Sequence, residues 1–287
     1  MTVARSIMSM LFRVIVGVLL AIALLGCGTS LTTLQPAEPM RPGHVHATGA
    51  LDLLMSQVSP DDYDLKVANP PSVDEARQAK HAALARGARA AGFNPDVMVR
   101  MGVIEDLDVG ARYSGGTAHL DAKLRFLSTK HPTREEERRE KTTIGSAPDH
   151  GFQGAVSVGG SRSLFLPTTS GPSLDGNVDI DDFTRWNVEV PVIFGARFLD
   201  LFGVWFGPKY VYSHIDLTVH ADVPIGRASV SVHQVGGFLG VSLGPPIASA
   251  FVELTVMQAF ANADVLGGSK DVGGTIIQPS VGVMMRP

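Results

Sequence analysis

The chain has 287 residues, a formal charge of −4, one cysteine and 7% aromatic residues. That length fits one large domain. A single cysteine excludes an intramolecular disulfide, and the acidic balance gives no footing for nucleic-acid binding.

Arg5 and Arg13 flank a short N-terminal region, and Val14 to Leu25 then run apolar apart from Gly17. About 12 residues is too short to cross a bilayer core of about 30 Å as a helix, and is the length of a signal-peptide core. The run ends Leu24-Leu25-Gly26-Cys27, which resembles the lipobox of bacterial lipoproteins. Leu25 stands where that family more often has a small residue. The resemblance implies a signal peptide over 1–26 and a lipid on the Cys27 thiol. Gly28 in place of Asp implies sorting to the outer membrane, with the N-terminus on the periplasmic side. The competing reading is an uncleaved anchor, or an ordinary signal with an incidental cysteine. Cleavage removes two arginines and no acid, so the charge moves from −4 to −6. Residues 27–43, with Thr, Ser, Gln and prolines and no apolar period, predict a flexible tether.

From 44 to 287 the chain repeats segments of about ten residues that alternate apolar and polar, the signature of a transmembrane β-barrel. Thr117 to Leu127 is the clearest. Ala118, Leu120, Ala122, Leu124 and Phe126 share one face; Thr117, His119, Asp121, Lys123 and Arg125 share the other. Val97–Val103 and Val109–Tyr113 alternate likewise around Ile104-Glu105-Asp106-Leu107. So do Arg185–Arg197, Phe202–Ser213 and Ala248–Met257. His44–Leu54, Phe152–Gly160, Val230–Leu243 and Thr275–Met285 are weaker. The pattern in Val230–Leu243 changes phase near His233, which predicts a bulge or a later start. The fold expected is an all-β, antiparallel up-and-down transmembrane barrel of ten strands. A soluble sandwich is disfavoured because the apolar faces are heavy in Ala and Val rather than aromatic.

Connection lengths sort by side. Tight turns at Glu105-Asp106, Leu199-Asp200 and Gly244-Pro245-Pro246 fall on one side, with long loops at 55–94, 161–184, 215–229 and 261–274 on the other. Ser128–His150 breaks the rule. It predicts a solvated helix, or, if it hides a strand pair, twelve strands. The first loop predicts a helix over 72–92, since Ser72 and Glu75 have capping-box spacing and Gly92 and Pro95 stop it. Its bland reading is a surface helix; its basic residues (Arg77, Lys80, Arg86, Arg89) also suit covering the barrel mouth or touching lipopolysaccharide.

Four stretches carry a resemblance to a poorly characterised family of proteobacterial outer-membrane β-barrel proteins. These are Gly102-Val103-Ile104-Glu105-Asp106-Leu107-Asp108-Val109-Gly110-Ala111-Arg112, Leu120-Asp121-Ala122-Lys123, Phe206-Gly207-Pro208-Lys209-Tyr210-Val211-Tyr212 and Gln278-Pro279-Ser280-Val281-Gly282-Val283. The resemblance spans roughly 96–287 and implies architecture, not activity. The chain departs from many such barrels by ending Met285-Arg286-Pro287 rather than on an aromatic residue.

Strand alternation places a set of charges in the lumen: Arg100, Arg112, Lys123, Arg125, Arg185, Arg197 and Lys209 against Asp52, Asp96, Asp108, Asp121, Glu189 and Glu253. Near balance favours internal pairing in a filled barrel over a pore dominated by one sign. Chemistry-bearing motifs are sparse. His44 and His46 form an H-x-H without a third ligand, no G-x-S-x-G occurs, and no cofactor is implied. Asp179, Asp181 and Asp182 in one loop and His214, Asp216, His220 and Asp222 in another supply a rim acid–His cluster able to activate water. The expectation is an outer-membrane barrel lipoprotein in contact with membrane lipid, in a structural or small-solute-channel role. The alternatives are a rim-sited hydrolase and a tethered soluble β-domain that binds proteins.

Overall fold

The computed structural model describes residues 30–38, 40–56, 72, 74–75, 78–80, 83–84, 92–129, 151–164, 179–198, 201–220, 224–245, 247–265, 268–271 and 273–285. Its strands are β1 (Val45–Ser56), β2 (Gly92–Ile104), β3 (Leu107–Ser114), β4 (Thr117–Ser128), β5 (Phe152–Ser163) and β6 (Asp179–Phe198). They continue with β7 (Phe202–His220), β8 (Pro224–Leu243), β9 (Ala248–Val265), β10 (Gly268–Asp271) and β11 (Gly274–Met285). Sequential neighbours pair antiparallel from β1 to β9, β9 pairs with β11, and β11 returns to β1. Ten strands thus close a barrel; β10 is a four-residue hairpin extension of β9. The twelve-strand alternative falls.

One end, here the lower, carries the β2–β3, β6–β7 and β8–β9 turns. Asp106 there takes the left-handed conformation (φ 72°), next to a register shift between Gly102 and Ile104. The upper end carries the 57–91 connection. Only Ser128 and Thr129 of the expected 128–150 connection are described, and Thr129 closes onto Phe152.

Alternation places the apolar face outside. Leu120 is 69% exposed and Val252 52%, whereas Lys123 is 1% exposed and Glu253 is fully buried. A soluble fold buries the apolar face, so this arrangement requires a lipid surround. Outward on β6, Val188, Val190, Val192, Phe194 and Ala196 lie between Trp186 and Phe198. Twelve residues make about 40 Å of strand, or about 30 Å along the axis at a tilt of about 40°, which matches the hydrocarbon core. Aromatic rings mark both limits. Trp186 packs against Tyr212 and His214 (5.2 and 5.8 Å) at the upper limit, and Phe198 against Phe202 (6.3 Å) at the lower.

Above Trp186 the polarity inverts. On β7 and β8, Ile215, Leu217, Val230 and Val232 point inward and are buried, while Asp216, Arg227 and Ser229 are exposed outside. The strands here project beyond the apolar band as a barrel with an ordinary apolar core. Two expectations are corrected by this. Residues 179–184 and most of 215–229 are strand rather than loop. No bulge occurs at His233 either: β8 pairs with β7 without a register shift from Gly226 to Leu243. The phase changes because the surroundings invert, not because the register does.

Candidate functional site

The lumen is occupied. Residues 30–35 are each 4% exposed or less, although they belong to no strand. The stretch expected to be a flexible tether is instead a thread lying inside the barrel, at least from residue 30 onward. It descends. Ser30 donates to Asp52, high on β1; Thr33 N–H donates to Glu253 Oε1 (2.6 Å); Met40 N–H donates to Asp108 Oδ1 (2.8 Å), beside the β2–β3 turn. Pro42 then bridges to Gly102, and the chain turns upward into β1. Residue 30 therefore stands in the upper half, opposite the periplasmic start expected of the chain. Cys27 and the rest of 1–29 lie outside the described residues.

A segment with no strand partner must satisfy its amides elsewhere, and the inward side chains supply this. Lys123 Nζ donates to the carbonyls of Pro36 (3.1 Å) and Glu38 (2.9 Å). Arg112 donates to the Thr32 carbonyl and Lys209 to that of Leu31. Leu31 N–H donates to Gln278 Oε1 (2.9 Å), and Thr32 Oγ1 lies 2.6 Å from Ser280 Oγ. Prolines suit such a path because they bring no N–H to satisfy. Leu34 is fully buried at φ 55°, a left-handed bend held by its surroundings.

The same cations pair with carboxylates. Lys123 Nζ is 3.0 Å from Asp108, Lys209 Nζ is 2.8 Å from Glu189, and Arg112 Nη2 is 3.3 Å from Glu189. Arg100 pairs with Asp121, which also accepts from Ser157 Oγ (2.7 Å). Glu253 accepts from Trp205 Nε1 (2.8 Å). Arg185 donates to Asn187 (2.8 Å) and Ser213 (3.1 Å). Asp52 and Asp96 are buried side by side on β1 and β2. Two members sit at the lower rim: Arg125 bonds Asp106 (2.6 Å), and Arg197 donates to the Gly244 carbonyl (2.9 Å). Ten of the thirteen residues expected in the lumen are buried, and Asp121, Arg125 and Arg197 are half-buried. Sequence reasoning missed the thread that joins them and the apolar clusters beside them.

The upper layer is Leu54, Val211, Ile215, Val230, Val232, Met257 and Ile276, with Leu31 of the thread and Ala79, Ala83 and Leu84 of the first loop. The expected capping box is present: Ser72 N–H donates to Glu75 Oε2 (2.7 Å) and Glu75 N–H to Ser72 Oγ (3.3 Å). Residues 74–75, 78–80 and 83–84 are helical. Ala79, Ala83 and Leu84 are fully buried, so the segment caps the lumen; the bland surface-helix reading is corrected. Gly92, the last residue of the expected range, is instead the first of β2, which also includes Pro95. Arg77, Arg86 and Arg89 are outside the described residues. Above the rim residues Arg125 and Arg197, Leu34 and Ala37 of the thread join Ile193, Trp205, Phe238, Phe251 and Met284 in a second apolar cluster.

Of the rim cluster, His214 and Asp216 do not face the mouth. His214 Nε2 lies 3.2 Å from Asp216 Oδ2, but both are on the outward face of β7 and face away from the lumen. Asp179 and His220 pair across β6 and β7 by backbone register, Asp182 is exposed, and Asp222 is outside the described residues. His44 is exposed while His46 points inward and is buried. Among the described residues, no group of three His, Cys, Asp or Glu can hold a metal ion.

No protein-family model matches the chain. Solved structures similar to it are bacterial outer-membrane barrels. Neisserial surface protein A aligns at 10% identity and TM-score 0.31, over 85% of this chain and 96% of that one. The outer membrane protease OmpT from Escherichia coli aligns at 8% and 0.36, over 85% and 94%. The translocator domain of the autotransporter NalP from Neisseria meningitidis aligns at 13% and 0.38, over 86% and 90%. None of these likenesses carries a role over to this chain.

Proposed function

We propose that the protein is a bacterial outer-membrane barrel lipoprotein with a structural role, closed to solutes in its folded state. The observation that carries the reading is the pairing of an outward apolar band about 30 Å high with a lumen filled by its own chain. An open channel would need a continuous wet path, and residues 30–38 lie across it, with Leu31 and Leu34 packed into the two apolar clusters. The lipobox at Leu24–Cys27 supports a lipid anchor on Cys27. Outward Leu, Val and Phe side chains supply the contact with membrane lipid. The hydrolase alternative has no support from the placement of His214 and Asp216.

The test joins two measurements. Membrane fractions run unheated and boiled on a gel are expected to show the faster unheated band of a closed barrel. Mass spectrometry of the N-terminal peptide is expected to show lipid on Cys27. Unchanged migration, with release from the membrane on Cys27→Ala, would overturn the barrel role in favour of a tethered soluble domain.

A further inference from the structure

The lumen holds residues 30–38 and Met40 in large part through their main chain. Arg112, Lys123 and Lys209 donate to main-chain carbonyls, while Glu253, Asp108 and Gln278 accept from main-chain N–H groups. Contacts of this type are open to any extended chain, because every residue but proline offers the same pair of groups. The side chains fix the register of this one: Ser30 and Thr32 bond Asp52, Gln278 and Ser280, and Leu31, Leu34 and Ala37 pack into the two apolar clusters. The barrel wall does not depend on the thread for its ladders, since the ring of ten strands closes on itself without it.

We propose that the lumen is a binding channel for one extended peptide, filled here by residues 30–40, and that withdrawing this segment opens a pore. This rests on the membrane-spanning barrel reading above. One extended chain occupies a lateral width of about 5 Å. Its removal turns Arg112, Lys123 and Lys209, their partners Glu189 and Asp108, and the thread acceptor Glu253 toward water. Both signs then line the path, so the pore passes small ions with weak selectivity. The occupant is a segment of this chain, and the ligand class is an extended polypeptide.

The experiment is conductance across planar bilayers, using the full chain, a variant lacking residues 30–40, and that variant with a synthetic peptide of residues 30–42 added. Stepwise conductance is expected only from the deletion variant, with its loss on adding the peptide. A deletion variant that inserts, keeps its heat-modifiable band and stays silent would overturn the proposal. So would a full chain that conducts equally, or a peptide without effect. Should the deletion variant not fold, a full-length variant answers the same question. Lys123→Met and Lys209→Met loosen the thread, and Thr32→Cys with Ser280→Cys in a Cys27→Ala background allows it to be tied. The two hydroxyls stand 2.6 Å apart, within reach of a disulfide. Conductance in the reduced form and silence in the oxidised form are expected; the same behaviour in both forms sinks the idea. Absence of the heat-modifiable band in the full chain would instead count against the barrel reading.

Discussion

At the scale of single residues, the lumen charges matter because most of them are buried and held by a partner. Glu189 serves two cations, Lys209 and Arg112. Replacing it with Gln keeps the shape and removes the charge, leaving two buried cations short of a counter-ion. Breaking a buried pair this way costs about 3–5 kcal/mol, so Glu189→Gln is expected to lower the urea midpoint of the barrel in detergent. Adding Lys209→Met should recover part of the loss; a double variant no better than the single one would mean that the pair does not interact. Glycines set a second constraint. A Cβ on Gly240 would stand 2.1 Å from Cε2 of Trp205, and one on Gly110 would meet Asp121 and Arg100. The sequence alone displays these glycines, but not the rings and ion pairs that need their space.

At the scale of elements, the capping segment is a separable piece. Its apolar contacts are Ala79, Ala83 and Leu84, and its start is fixed by Ser72 and Glu75. Ser72→Ala removes one cap hydrogen bond, at a cost of about 1 kcal/mol. Leu84→Ala removes a fully buried side chain, at about 2–5 kcal/mol. Both are expected to speed tryptic cleavage between Arg77 and Arg89 while the barrel band on the gel persists. Cleavage at the wild-type rate in Leu84→Ala would mean that the cap is not held by this contact. The strands themselves were legible from alternation: all ten barrel strands match segments read from the sequence, and β4 matches almost residue for residue. Their upper ends were not. Ile215, Leu217, Val230 and Val232 break the polar-inward rule because they stand above the membrane band, where water is outside and the cap is inside. Alternation reports that two faces differ; it does not report which solvent each face meets.

At the scale of the whole molecule, the outward band is the feature that commits the chain to a bilayer. Val252 lies mid-band, beside Val281 on β11 and Val241 on β8. An arginine at such a position costs about 2–4 kcal/mol near the bilayer midplane. Val252→Arg is expected to reduce the folded fraction recovered from membranes, whereas Arg227→Ala, above the band and exposed, is expected to change little. Equal effects would mean that the band is not where lipid sits. The candidate site was only half legible at this scale. The thirteen lumen charges follow from strand phase, but their common ligand does not. Residues 30–38 have no period, and three prolines nearby suggest a linker as readily as a chain with few amides to satisfy.

The thread also bears on the order in which the protein is made. Thr32 meets Ser280, and Leu31 meets Gln278, across 248 and 247 residues of sequence. The ring is sealed where β11 joins β1, so its last seam closes around a segment that precedes the first strand. Pairings between chain ends so far apart slow folding, and the early segment waits for Gln278 and Ser280 until the last strand arrives. A nascent chain that loses β11 keeps its first residues but not the hydroxyl and amide that align them. The thread thus completes its contacts only when the seam between β11 and β1 is in place.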